Sequence, residues 1–203
     1  PNAKITKKSK SPLSFHPIAL IFGLLSFVSY LVEGAVGDWS ALYLFEDKGI
    51  VIEEAVMGVM LFNGTMCIGR LLGNRLGKHL TSKQVVVGGY LLGSIAMGLI
   101  VFLPGHASMY TYLLLGISLA MIVPNLFSAM GEQNVIPMTQ AVATSTMLGY
   151  MGILMGPALI GFIAHGTSLT VAFIVLTTLL VVSAGIGKYA YHLMLSLIHI
   201  SEP

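Results

Sequence analysis

Charge is what this sequence has least of. Lys, Arg, Asp and Glu together make up 9% of its 203 residues, against roughly 25% in soluble domains. A chain so poor in charge cannot cover a water-facing surface. Its single cysteine, Cys67, excludes an internal disulfide and every paired-cysteine zinc or redox spacing. The six histidines are scattered, with no HExxH and no two at i, i+4. A formal charge of +2 is too small to draw nucleic acid. The chain opens on Pro1 without the charged region, short apolar run and cleavage site of a secretory leader, so the expectation is a fragment lacking its N-terminal part. At the other end, residues 195–203, LSLIHISEP, read as a translated sequencing adapter. That tail is expected to be non-native, which leaves His199 and Glu202 without a functional reading.

What the sequence does hold is apolar. Hydrophobic residues make up 56% of it, and the mean hydropathy is +0.89. That is an all-α polytopic membrane protein, because apolar runs this long exceed ordinary strands and only helices or closed barrels satisfy the backbone in lipid. Its 23 glycines and 12 methionines suit helices that approach one another closely. Residues 1–16, with Lys4, Lys7, Lys8 and Lys10, read as a basic linker. Six spans follow, at about 17–44, 55–72, 84–103, 109–130, 141–164 and 169–188. Span one exceeds the ~20 residues a bilayer core requires, and Gly34 and Gly37 offer it a bending point. Lys4, Lys7, Lys8, Lys10, Arg70, Arg75, Lys78, Lys83 and Lys188 all fall on one side of this arrangement, with Lys48 alone on the other. The positive-inside rule then places both ends of the fragment in the cytoplasm.

Glu33 interrupts span one. An acidic residue at a helix centre costs about 2.5–3.5 kcal/mol on insertion scales, and such residues face a bundle interior or a watery cavity. Ser26, Tyr30, Glu33, Gly37 and Ser40 share one helical stripe, which lipid cannot satisfy. Two readings of Glu33 stay open. It is a proton-titrating or solute-binding carboxylate on a pathway, or a structural one held between helices or hydrated near the outer interface. Asp38 lies about 140° further round the helix, so the two acids are not a dyad, and beside Trp39 it reads as an interfacial anchor. Among the other polar residues inside spans (Asn63, Thr65, Asn125, Thr144, Thr146 and Tyr150), Asn63 and Asn125 stand out because a buried amide needs several partners. Met57, Met60 and Met66 read as packing residues rather than metal ligands. No two ionisable residues share a helix face as a membrane-embedded enzyme would need, so no enzymatic activity, metal or cofactor is expected.

Two motifs carry a family resemblance. The run Gly69-Arg70-Leu71-Leu72-Gly73-Asn74-Arg75-Leu76-Gly77-Lys78-His79 closes span two. It resembles the signature loop of the major facilitator superfamily (MFS), a glycine, three residues, then Asp-Arg-x-Gly and two basic residues. Asn74, Arg75, Gly77, Lys78 and His79 align with its second half, while Arg70 stands where the glycine belongs and Asn74 replaces the acid. In span five, Gly152 to Gly161 (GILMGPALIG) is similar to the glycine–proline motif of that family's fifth helix. Read on their own chemistry, Gly152, Gly156 and Gly161 permit close packing and Pro157 kinks the helix.

With EGAVGDWSALYL and IVPNLFSAMG in the expected order, residues 5–194 resemble the C-terminal six-helix half of an MFS transporter. The likeness is greatest to the bacterial MosC-like branch and fainter to fucose-permease-type symporters. It implies two inverted three-helix repeats, residues 14–103 and 109–190, with spans one and four lining a central cavity. Glu33, Tyr30, Asn63, Asn125 and Tyr150 would then border the solute and proton pathway. The expected activity is secondary active transport of a small polar solute across the bacterial inner membrane by alternating access, coupled to protons, with sodium coupling or uncoupled flux as open alternatives. The implied partners are membrane lipids and the missing N-terminal half. A non-transporting sensor or scaffold on the same fold is the alternative.

Overall fold

The computed structural model describes residues 13, 15–76, 80–133 and 136–201. Gly77, Lys78 and His79 of the signature-like run, the lysines of the N-terminal linker and the last two residues lie outside the described residues. The elements are α1 (Pro17–Glu46), α2 (Ile52–Leu76), α3 (Ser82–Phe102), α4 (Gly105–Tyr110), α5 (Tyr112–Leu119), α6 (Ile122–Glu132), α7 (Met138–Gly166) and α8 (Leu169–Ser201). Six stretches are long and apolar enough to cross a bilayer, with α4, α5 and α6 forming one of them. The chain is an all-helical polytopic membrane protein.

Local chemistry explains where the helices begin and end. Pro17 occupies the first turn of α1, and the His16 ring accepts the Ile18 N–H at 3.3 Å. The chain leaves α1 through Gly49, whose φ of +68° suits glycine, and the Ile50 N–H returns to the Leu44 carbonyl at 3.1 Å. Lys48 reaches across this turn to donate to the Val101 carbonyl of α3 at 2.6 Å and lies over the Tyr43 ring. Burial pulls its ammonium below the usual lysine range, with Asp47 acting the other way. Glu53 and Glu54 occupy the first turn of α2, the favourable end of the helix dipole. Thr81 and Gln84 open α3 with a reciprocal capping box.

Span four departs from the sequence reading. A single span over 109–130 was expected; the structure begins it at Gly105 and interrupts it at Thr111 and at Ala120–Met121. Pro124 has no N–H, so the Ala120 carbonyl loses its i+4 donor there. Span one, in contrast, runs without interruption through Gly34 and Gly37. The backbone of α8 stays helical into residues 195–201, the stretch expected to be foreign.

The packing is invariant to exchange of the two repeats. α1 packs chiefly on α7, α2 on α5, and α3 on α8. The first helix of each repeat thus meets the second helix of the other, and the third helices meet each other. α1 is the most buried span, whereas α2 and α7 leave broad apolar faces uncovered. Met57 and Met60 of α2 are exposed, and only Met66 of that trio packs in the core. The α1–α7 seam depends on glycine. A methyl group on Gly152 would run into the Phe27 carbonyl, and one on Gly156 into the Leu31 carbonyl, so this G-x-x-x-G pair lets two backbones touch. Between α1 and α3, the buried Tyr90 hydroxyl donates to the Leu25 carbonyl at 2.7 Å and accepts from Ser29 at 2.8 Å.

Candidate functional site

The open side of α1, between α2 and α7, gathers most of the polar residues singled out from the sequence. Glu33 meets Arg70 of α2, whose Nη2 lies 3.4 and 3.3 Å from the two carboxylate oxygens. The Glu33 side chain is 23% exposed and that of Arg70 44%, so the pair faces an opening and is not sealed in the core. One turn earlier, the ring of Tyr30 stacks on Tyr150 of α7, with centroids 6.2 Å apart and planes 4° from parallel. Tyr30 also lies against Gly149, where a methyl group would stand 2.6 Å from its ring. Asn63 is exposed on α2 seven residues before Arg70, on the same side of that helix. An acid, a base and two stacked phenols thus line the partly exposed side of α1, with an exposed amide about two turns away along α2.

The structure divides the stripe that holds Glu33. Ser26 and Ser40 are fully buried, while Tyr30 and Glu33 are partly open and Gly37 is exposed. α1 sits deep enough in the bundle for neighbours to cover both ends of its polar stripe. Asp38 is exposed. Its neighbour Trp39 instead turns inward, packs on Gly161 and donates its indole N–H to the Pro157 carbonyl at 2.9 Å. Trp39 therefore ties α1 to α7 rather than only anchoring an interface.

Asn125 is not part of this cluster. Its amide nitrogen donates to Met121 of its own span at 2.8 Å, and it lines a separate apolar cavity of about 370 Å³ with Gly73, Gly89, Leu92, Ile117 and Met121. Thr65 likewise bonds to carbonyls of its own helix, and Thr144 is buried.

The signature-like run is helical through Leu76. Gly69 abuts Ala120 and Ile117, and Gly73 abuts Met121, so the first half of the motif packs α2 on its partner span. Arg70 belongs to that helix, not to a loop. Its pairing with Glu33 is what the sequence reading missed. The available signal was narrow: Arg70 is the only basic residue within residues 52–73, and span one offers an unpartnered acid. Asn74 and Arg75 continue the α2 backbone. Among the described residues, no group of His, Cys, Asp or Glu could hold a metal ion.

Comparison with known proteins bears on the family and the fold. No family model matches the chain. It is 42% identical over 157 residues to an uncharacterised MFS-type transporter of Yersinia pestis, a match covering 76% of this chain and 40% of that protein. It is 30% identical over 170 residues to the membrane protein MosC of Rhizobium meliloti, covering 82% and 42%. Its fold matches the Escherichia coli fucose:proton symporter with a TM-score of 0.74 at 16% identity, covering 85% of this chain and 42% of that one. A second structure of that symporter, in an outward conformation, matches with a TM-score of 0.74 over 86% of this chain. The chain thus spans about two-fifths of the length of the relatives it matches.

Two exchanged three-helix repeats with a polar opening on the first helix define half of a polytopic membrane transporter fold. The chain is such a six-helix half in the major facilitator superfamily.

Proposed function

We propose that the chain is the C-terminal half of a secondary active transporter that moves a small polar solute by alternating access, coupled to protons at Glu33. The observation that carries this reading is the half-open Glu33–Arg70 pair between α1 and α2. Arg70 stays charged at any physiological pH, so protonating Glu33 would dissolve the pair and release a guanidinium. A group able to trade a proton for a solute contact is what coupling requires. Tyr30, Tyr150 and Asn63 supply an aromatic face and hydrogen-bonding groups beside it. The Yersinia pestis relative bears the name of an MFS-type transporter and the structural neighbour is a fucose:proton symporter, which supports transport in general. The exposed apolar faces of α2 and α7 suit a second half docked around α1, and rocking of the two halves would open the cleft alternately. The bias of Lys and Arg to one side favours the inner membrane, with both ends of this half cytoplasmic.

The test uses the full-length protein in proteoliposomes, with internal pyranine reporting proton entry across a panel of sugars, polyols and amino acids. Wild-type protein should acidify the lumen with at least one solute. Glu33→Gln should abolish that acidification while the protein still reconstitutes. Solute uptake with unchanged pH dependence in Glu33→Gln would make the carboxylate structural.

A further inference from the structure

The α3–α8 seam carries two lysines that the transport reading does not use. The two helices pack antiparallel. A methyl group on Gly98, Gly93 or Gly187 would stand 3.9, 3.7 and 3.6 Å from Thr177, Leu180 and Val87 respectively. This register brings Lys83, in the first turn of α3, beside Lys188 of α8. Both lysines line one groove of about 650 Å³, with Thr81, Gln84, Val87 and Leu91. A second recess of about 450 Å³ shares both lysines and adds Tyr189 and His192. Among the described residues neither lysine pairs with a carboxylate; the ion pairs are Arg70–Glu33 and His106–Glu54. Glu132 borders a third recess with Lys83 but forms no ion pair with it.

Depth and surroundings indicate what would neutralise these charges. Lys188 lies nineteen residues into α8, about 28 Å along the helix at 1.5 Å per residue, which is close to the ~30 Å hydrocarbon thickness. The lysines therefore stand at the level of lipid headgroups. Towards the bilayer centre the same face is apolar and exposed, with Leu91 and Ile95 on α3 and Val181 on α8. Cations above an apolar bed on the outside of a membrane bundle match an anionic lipid, since basic pockets between spans recognise such headgroups.

We propose that the α3–α8 groove binds an anionic phospholipid, its phosphate between Lys83 and Lys188 and its acyl chains along Leu91, Ile95 and Val181. Thr81 and Gln84 are occupied with each other in the capping box, so the lysines supply most of the recognition. The site is separate from the Glu33 opening and stands whatever solute the protein carries.

The experiment places the full chain in nanodiscs with equal phosphatidylglycerol and phosphatidylcholine and counts retained lipids by native mass spectrometry. Wild type should retain phosphatidylglycerol in preference, and added inorganic phosphate should not displace it. Lys83→Gln with Lys188→Gln should abolish the preference, each lysine contributing about fivefold. Lys83→Arg with Lys188→Arg should preserve it, as should Lys48→Gln at the opposite end of the bundle. Should the double variant not reconstitute, each single Gln variant is read against the same fivefold expectation. Equal retention of both lipids by wild type, an undiminished preference in the Gln variants, or displacement by inorganic phosphate would each overturn the proposal.

Discussion

The two seams related by exchange of the repeats, α1–α7 and α2–α5, are built from the same residue type but to different tolerances. At α1–α7, Gly152 and Gly156 lie against the carbonyls of Phe27 and Leu31, and Gly34 answers from the other side, where a methyl group would stand 2.8 Å from the Ile153 carbonyl. Three contacts therefore set backbone against backbone. Pro157 reinforces the last of them, because its missing N–H frees the Ile153 carbonyl from its own helix. At α2–α5 only Gly116 meets backbone, at Phe62, while Gly69 and Gly73 meet the side chains of Ile117, Ala120 and Met121. The ends of Ile117 and Met121 can turn aside, whereas backbone carbonyls and the Ala120 Cβ cannot. The second seam also adjoins the interruption at Ala120–Met121, whereas α1 and α7 are unbroken. Glu33, Tyr30 and Tyr150 are thus mounted on the stiffer pair, which suits groups that must keep their spacing, while Arg70 and Asn63 reach them from α2, in the seam with more give.

Substitutions can break or sharpen this contrast. The largest effect is expected from Gly152→Val, which drives a branched side chain into the Phe27 carbonyl and should destabilise the bundle by about 3 kcal/mol or more. The chain's one tryptophan, Trp39, stands at this seam, so its fluorescence during unfolding in micelles reports the loss directly. Trp39→Phe removes the bond to the Pro157 carbonyl and should cost about 1 kcal/mol, read by circular dichroism because the fluorophore is gone. Arg70→Ala should change stability by less than about 1 kcal/mol, because the pair with Glu33 is partly hydrated; a larger loss would mark the pair as structural. Gly73→Ala meets only the flexible end of Met121, and the helix preference of alanine, about 1 kcal/mol, should leave the net change near zero. If Gly73→Ala proved as damaging as Gly152→Val, the two seams would be equally rigid and the contrast would fail.

Some of the site was legible before any tertiary contact was known. Glu33 drew notice because a carboxylate within an apolar run is costly anywhere in lipid, and Tyr30 followed from helical spacing. Arg70 was placed within span two but likened to a signature loop because its neighbours Gly69, Gly73 and Gly77 matched a motif, and motif matching does not show which residue on another helix an arginine faces. Asn125 was credited with a pathway role because it is an amide in a cavity-lining span, yet a local bond to Met121 takes up its amide nitrogen. Trp39 was read from its position near a span end, and nothing local shows that Gly161 on another helix leaves space for its ring.

The sequence by itself determined the number of spans, their helical state and the class of the molecule. Those follow from a local demand, since each run of about 20 apolar residues must satisfy its own backbone inside the bilayer. Only the tertiary structure decided which helices touch, where span four breaks, which part of the polar stripe stays open, and that an arginine 37 positions away answers Glu33. Those are choices of partner. In lipid, apolar surface does not distinguish one neighbour from another, so pairing depends on shape, small residues and a few polar contacts. Such features acquire meaning only when two distant segments lie side by side.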